Sequence, residues 1–211
     1  MWRKFQVKIE TTAPLLGTQP TEESLRKAYL QTEEDEEVLP AERPKTSFYS
    51  HNNELVLMNY QMKGWFKDAF SELPHLVGIK GRTKEWASGR VIKSRIDKWL
   101  FVRPRFISMG RTAPDGSVTV QNGQKPDGSL IRPLRAETRQ GQRVTPVESD
   151  KLDPPITLSF VVKVLENSPI TLEKLEKALP YGEEYGLLQW RSAGWGTFKV
   201  IELIELKEAK A

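Results

Sequence analysis

The 211-residue sequence has no cysteine and only two histidines, His51 and His75. The first absence excludes disulfides and thiolate metal sites, and the second excludes a histidine-rich metal centre. Lack of cysteine fits a reducing, cytoplasmic setting. No apolar run reaches the ~18 residues of a membrane span. Met1-Trp2-Arg3-Lys4-Phe5 runs straight into an alternating segment, without the apolar core of a secretion signal. Membrane is therefore not an expected partner. P-loop, nucleophile-elbow and zinc-ligand spacings are all missing, so no cofactor or metal is expected.

What the chain does have is unevenly placed charge. Residues 1–75 carry 9 basic and 12 acidic side chains, residues 76–143 carry 15 and 5, and residues 144–211 carry 8 and 11. The net charges are −3, +10 and −3, which sum to the overall +4. A positive field concentrated in the middle third favours a polyanionic partner, most often nucleic acid.

Hydrophobic periodicity places the elements. Residues 3–10 alternate Phe5, Val7 and Ile9 with Lys4, Gln6, Lys8 and Glu10, the pattern of a half-buried strand. A short helix is expected at 21–31. An acidic loop at about 32–53 contains the unbroken run Glu33 to Glu37. Residues 54–60 read as a strand, followed by a helix whose stripe is Phe66, Ala69, Phe70 and Leu73, closed by Pro74. Lys63 and Lys67 fall near the expected start of that helix, where a bound anion would offset their conflict with the helix dipole. A helix over 84–98 and a strand over 99–107 follow. That strand would carry Arg103 and Arg105 on one face, with Pro104 marking an edge or bulge.

Pro114-Asp115-Gly116 and Pro126-Asp127-Gly128 predict two turns around Val118-Thr119-Val120, hence a protruding hairpin or loop. Arg132, Arg135, Arg139 and Arg143 then form an extended basic segment that could order on a partner. The last quarter reads as strand 156–165, helix 171–179, glycine-rich loop and strand 197–206. The order is compatible with an α+β chain built on a βαββαβ ferredoxin-like core, whose open sheet face is much used for single-stranded RNA.

The glycine-rich loop is the most distinctive stretch. Gly186, Gly194 and Gly196 surround Trp190, Arg191 and Trp195. Glycine permits close backbone approach. Tryptophan there either caps a core or offers a stacking platform, and arginine is a candidate phosphate contact.

These pieces resemble the RAMP superfamily of CRISPR-associated proteins, especially backbone subunits that line guide RNA. The resemblance rests on Pro14-Leu15-Leu16-Gly17 after the first strand, and on Lys63-Gly64-Trp65-Phe66-Lys67. It also rests on Pro154-Pro155-Ile156 entering a long strand, and on Gly186…Arg191-Ser192-Ala193-Gly194-Trp195-Gly196. The segment at 63–69 keeps the Gly and the Lys of the family pattern and lacks its serine pair and second glycine.

The resemblance implies a single RAMP-like domain over 1–211, with a modified ferredoxin-like (RRM-type) core and a basic thumb-like insertion at about 108–145. It implies an antiviral-defence role: holding single-stranded guide RNA by its backbone in a multisubunit ribonucleoprotein. Partners would be RNA in preference to DNA, together with other subunits or copies of the chain along the strand. The RNA-binding candidates are Lys63, Gly64, Lys67, Arg103, Arg105, Arg135, Arg143, Gly186, Trp190, Arg191, Gly194, Trp195 and Gly196. No residue is assigned to catalysis. Two alternatives stay open: a metal-independent endoribonuclease using His51 or His75, and a structural protein of a phage or mobile element.

Overall fold

The computed structural model describes residues 1–22, 45–73, 89–138 and 141–206. The strands are β1 (Trp2–Thr11), β2 (Leu15–Leu16), β3 (Gln19–Pro20), β4 (Lys45–Ser47), β5 (Tyr49–His51), β6 (Glu54–Met58), β7 (Leu100–Arg103) and β8 (Phe106–Ser108). They continue with β9 (Gly110–Thr112), β10 (Val118–Thr119), β11 (Gly128–Thr138), β12 (Gly141–Leu152), β13 (Ile156–Leu165) and β14 (Phe198–Leu206). The α-helices among the described residues are α1 (Asn59–Glu72), α2 (Gly89–Trp99) and α3 (Leu172–Ala178). The expected helix at 21–31 and the run Glu33–Glu37 fall mostly or wholly outside the described residues. Of the expected acidic loop, the part that is described forms β4 and β5.

Mostly antiparallel strands make an α+β fold of three sheets. The largest has six strands, in the order β10-β9-β13-β1-β14, with β7 alongside the other half of β13. Its centre is the β1–β13 pair, antiparallel from Trp2 opposite Leu165 to Glu10 opposite Thr157. Period-2 alternation sends Phe5, Val7 and Ile9 of β1, and Leu158, Phe160, Val162 and Val164 of β13, into one core. Leu100 and Val102 of β7 and Phe198 of β14 join them.

Against this face pack Met62, Trp65, Phe66, Ala69 and Phe70 of α1, Ile92 and Ile96 of α2, and Leu175 and Ala178 of α3. Burying each large side chain of this kind contributes about 1.5–3 kcal/mol. The opposite face presents Lys4, Gln6 and Lys8 of β1, Ser159, Val161 and Lys163 of β13, and Phe101 and Arg103 of β7, all at least partly exposed.

A second sheet, ordered β11-β12-β4-β3 with β2 also on β12, is dominated by a long ribbon. Its two strands pair from Gly128 opposite Lys151 to Thr138 opposite Gly141. The arginine-rich segment is thus paired backbone and not a lone extended chain, although Arg139 lies outside the described residues. A three-stranded sheet, β5-β6-β8, completes the fold.

Two expectations change. The strand over 54–60 stops at Met58, because Asn59 already opens α1. Gln61 Oε1 accepts from the Met58 N–H at 2.8 Å, and the Asn59 N–H donates to the Arg105 carbonyl at 2.9 Å. The single strand over 99–107 is two strands, with Arg103 ending β7 and Phe106 opening β8 on a different sheet. Pro104 has no N–H to continue a ladder. Arg103 and Arg105 therefore do not share a strand face.

Trp65 ties the layers together. It is fully buried, packs edge-on against Phe66 and Phe198 with centroids 5.2 and 5.1 Å away, and donates its indole N–H to the Tyr185 carbonyl at 2.8 Å. Trp65→Ala is expected to cost ~3–5 kcal/mol, read as a lower denaturation midpoint at constant slope. A loss below ~1 kcal/mol would contradict this packing.

Candidate nucleic-acid interface

The glycine-rich loop closes on itself by backbone contact. The Leu187 N–H donates to the Gly196 carbonyl at 2.9 Å, and the Gly196 N–H donates to the Pro14 carbonyl at 2.9 Å. A Cβ on Gly186 would stand 2.0 Å from the Trp195 carbonyl oxygen, so only glycine fits at that crossing. Gly196 has φ +68°, and a Cβ there would stand 2.5 Å from the Leu187 carbonyl oxygen. Gly194, at φ +81°, ends a 3-10 turn at Arg191–Ala193.

Inside this closure two bulky residues, Leu188 (φ 64°) and Trp190 (φ 57°), take left-handed backbone conformations. Each costs of order 1–3 kcal/mol and persists only where the surroundings enforce it. Gln189, between them, supplies the enforcement. Its amide N–H donates to Thr46 Oγ1 at 3.3 Å, and its carbonyl accepts from Ser149 Oγ at 3.3 Å and from the Arg132 guanidinium. The Thr46 and Ser149 hydroxyls lie 2.9 Å apart. The loop is thereby fastened to β4, β11 and β12.

Arg132, on β11, is only 8% exposed. Its guanidinium lies over the Trp190 ring at 5.0 Å, and Trp190 stacks on Trp195 with centroids 6.2 Å apart and planes 19° from parallel. Among the described residues no carboxylate pairs with it, and its Nε has no hydrogen-bond partner. Burial pulls its pKa below the usual arginine value. A buried cation is normally paired; this one faces Gln189 and an indole. Trp190 itself is 39% exposed. Chemically the arrangement is an uncompensated cation beside two stacked rings, suited to an anion carrying a flat group.

The other candidates fall into groups. Arg191 pairs with Asp68 of α1 at 2.6 Å and lies over the Tyr185 ring at 5.0 Å. Lys63 and Lys67 lie one and two turns inside α1, not at its start. Both reach Asp97 of α2, at 3.0 and 3.4 Å, so the helix-terminus anion reading is replaced by an interhelical ion pair. Gly64 lies between them on α1, with open space where a Cβ would be.

Arg135 stands opposite Val144, and Arg143 opposite Ala136, on neighbouring rungs of the ribbon. Arg103 is exposed, and Arg105 lies 5.8 Å from the Phe106 ring centroid. His51 stacks on Phe106 at 3.8 Å, and His75 lies outside the described residues. The sequence places Arg132 in the basic segment without separating it from its neighbours, and it does not flag Gln189. Only the pairing of ribbon and loop distinguishes them.

Gly186→Ala is expected to lower stability by roughly 1–3 kcal/mol or more, since backbone must move to admit the methyl, whereas Gly64→Ala is expected to be neutral or stabilising. Urea midpoints of the two variants test the contrast. The Lys63 hydrogen bond holds the Asp97 carboxyl below its usual 3.8. A depressed acid stabilises the fold above its unfolded pKa and loses that contribution as pH falls through its folded pKa. Asp97→Asn is therefore expected to cost up to about 1 kcal/mol at neutral pH and nothing near pH 2, because Asp97 is half exposed and solvent screens the pair. A cost independent of pH would contradict the ion pair.

No family model matches the sequence, and no curated protein matches it. Solved structures do match in fold. One is a chain of the type III-B Cmr-beta structure, determined by cryo-EM bound to cognate target RNA, with 12% sequence identity and a TM-score of 0.53. The match covers 99% of this chain and 62% of that one, so this chain spans about three fifths of the neighbour's length. Nearly the whole of this chain shares a fold with part of that one.

Proposed function

We propose that this chain binds single-stranded RNA by its phosphate backbone, as a RAMP-like subunit of a multisubunit CRISPR-type ribonucleoprotein. The observation that carries the reading is Arg132, buried, without a carboxylate among the described residues, and seated on Trp190. A phosphate supplies the missing anion, and the Trp190–Trp195 pair supplies a stacking surface for a neighbouring base. Arg143, on a rung of the same parity as Arg132, extends the cationic track along the ribbon, and Arg135, on a rung of the other parity, serves the ribbon's second face; the ribbon acts as the thumb of one RAMP-like domain. Arg191 lies at the other side of the loop and exchanges Asp68 for phosphate. Lys63 and Lys67, on the same helix as Asp68, exchange Asp97 in the same way. Such partly exposed, solvent-screened pairs are worth of order 1 kcal/mol each and yield to a polyanion.

Two further points support the reading. The elements β1, α1–α2, β7, β13, α3 and β14 run strand-helix-strand-strand-helix-strand, with spatial order β14-β1-β13-β7. That order fits a modified ferredoxin-like core. The Cmr-beta neighbour is bound to target RNA, which favours RNA over DNA as this chain's ligand. Other subunits, or further copies of the chain along the strand, complete the assembly in the cytoplasm.

The test is fluorescence polarisation with a single-stranded RNA of ~30 nucleotides in EDTA, longer than one single-strand site. Affinity is expected to fall with salt by about 0.7 log units per log unit for each phosphate contact, with the RNA left intact. Arg132→Met is expected to weaken binding roughly tenfold or more, while stability stays level or rises because an uncompensated buried charge has gone. Unchanged binding by that variant would overturn the assignment of Arg132. Cleavage in EDTA that disappears in His51→Ala would replace the binding subunit with a nuclease.

A further inference from the structure

On the outer face of the six-stranded sheet, three strands bring together residues far apart in the chain. Phe101 of β7 stands opposite Lys163 of β13, Arg103 stands opposite Val161, and Trp2 of β1 stands opposite Leu165. Trp2, Phe101, Arg103 and Lys163 line a cavity of about 180 Å³. Sites for drug-sized ligands occupy about 300–1,000 Å³; this one has room for a single ring system. The Trp2 and Phe101 rings meet edge to face, with centroids 5.4 Å apart and planes at 83°. Trp2 is 36% exposed.

One helical cation reaches this cluster, the Lys63 ammonium lying 4.4 Å over the Phe101 ring. The two cations on the strands differ from those on the helices. Lys63, Lys67 and Arg191 each have a carboxylate, whereas among the described residues none pairs with Arg103 or Lys163. The Lys163 ammonium lies 5.5 Å from the centre of the Trp2 ring, near the outer limit of cation–π attraction at ~6 Å. Its flexible stem allows the head to swing from the indole to an anion while a flat ring takes its place. An exposed aromatic platform with two carboxylate-free cations at its rim matches one nucleotide, base on the ring and phosphate on the cations.

We infer that this face is a second contact for the same single-stranded RNA, a one-nucleotide slot in which Trp2 stacks the base and Arg103 and Lys163 hold its phosphate. The inference rests on the RNA-binding reading and adds a point where the strand leaves the ribbon and touches the sheet.

The experiment uses the full chain with single-stranded RNA containing 4-thiouridine, irradiated and mapped by mass spectrometry. Adducts are expected on peptides containing Trp2 or Phe101 as well as on those containing Trp190 or Trp195. Trp2→Ala is expected to weaken binding roughly fivefold or more, the loss of one stacked base. Arg103→Gln is expected to lower the salt slope by about 0.7, one phosphate contact. Adducts confined to Trp190 and Trp195 would overturn the slot and leave the ribbon site standing. Adducts confined to Trp2 and Phe101 would support the slot and overturn the ribbon site. Absence of any adduct and of binding would overturn both. If Arg103→Gln instead changes the oligomeric mass and leaves RNA binding alone, the face is a contact between copies and the slot is wrong.

Discussion

The close crossing of Gly186 with the Trp195–Gly196 peptide is the constraint on which the candidate site depends. With no room for a Cβ at Gly186, the two ends of the loop lie in backbone contact and the residues between them must turn tightly. That turn holds Leu188 and Trp190 in left-handed conformations and aims Gln189 at the ribbon. The strain is borne by a chain of hydrogen bonds through Gln189 to Thr46 and Ser149, and by the stacking of Trp190 on Trp195. Arg132 is the last member of this chain and the one left short of a partner. A fold that spends backbone strain and a desolvated cation on one place gives up stability there, as binding sites commonly do.

Charge pairing separates the basic residues more sharply than their number does. The helical lysines and Arg191 are balanced locally by Asp97 and Asp68, which also link α1 to α2 and to the glycine loop. Their field at a distance is correspondingly reduced. Arg132, Arg103 and Lys163 keep theirs. Within the middle third the same division holds: Lys93 pairs with Asp68 and Arg111 with Asp127, whereas among the described residues Arg103, on the sheet's outer face, and Arg132, on the ribbon, have no carboxylate.

How far this was legible in the sequence varies with the range of the interactions. β1, β13 and α3 follow from local alternation and helical spacing, because their burial pattern is written in consecutive residues. The glycine loop stands out for the same reason. The start of α1 did not, since it depends on the distant Arg105 carbonyl accepting from Asn59 and on Gln61 folding back to Met58. Moving that start by a few residues took Lys63 and Lys67 away from the helix terminus. Splitting the strand at Pro104 separated Arg103 from Arg105 and put Arg103 on the sheet face beside Trp2 and Phe101. Arg132 is indistinguishable from Arg135 in sequence; the register of ribbon against loop singles it out. The slot combines positions 2, 101, 103 and 163, which no local pattern connects.

The account turns on whether an RNA phosphate reaches Arg132. Its side-chain Nε–H can be followed by heteronuclear NMR, assigned by its loss in Arg132→Met, during titration with a single-stranded oligonucleotide. The account predicts a shift of that proton that saturates with binding, as phosphate arrives at the guanidinium and changes the field at its buried Nε–H. A resonance that stays unmoved at saturating RNA would contradict it.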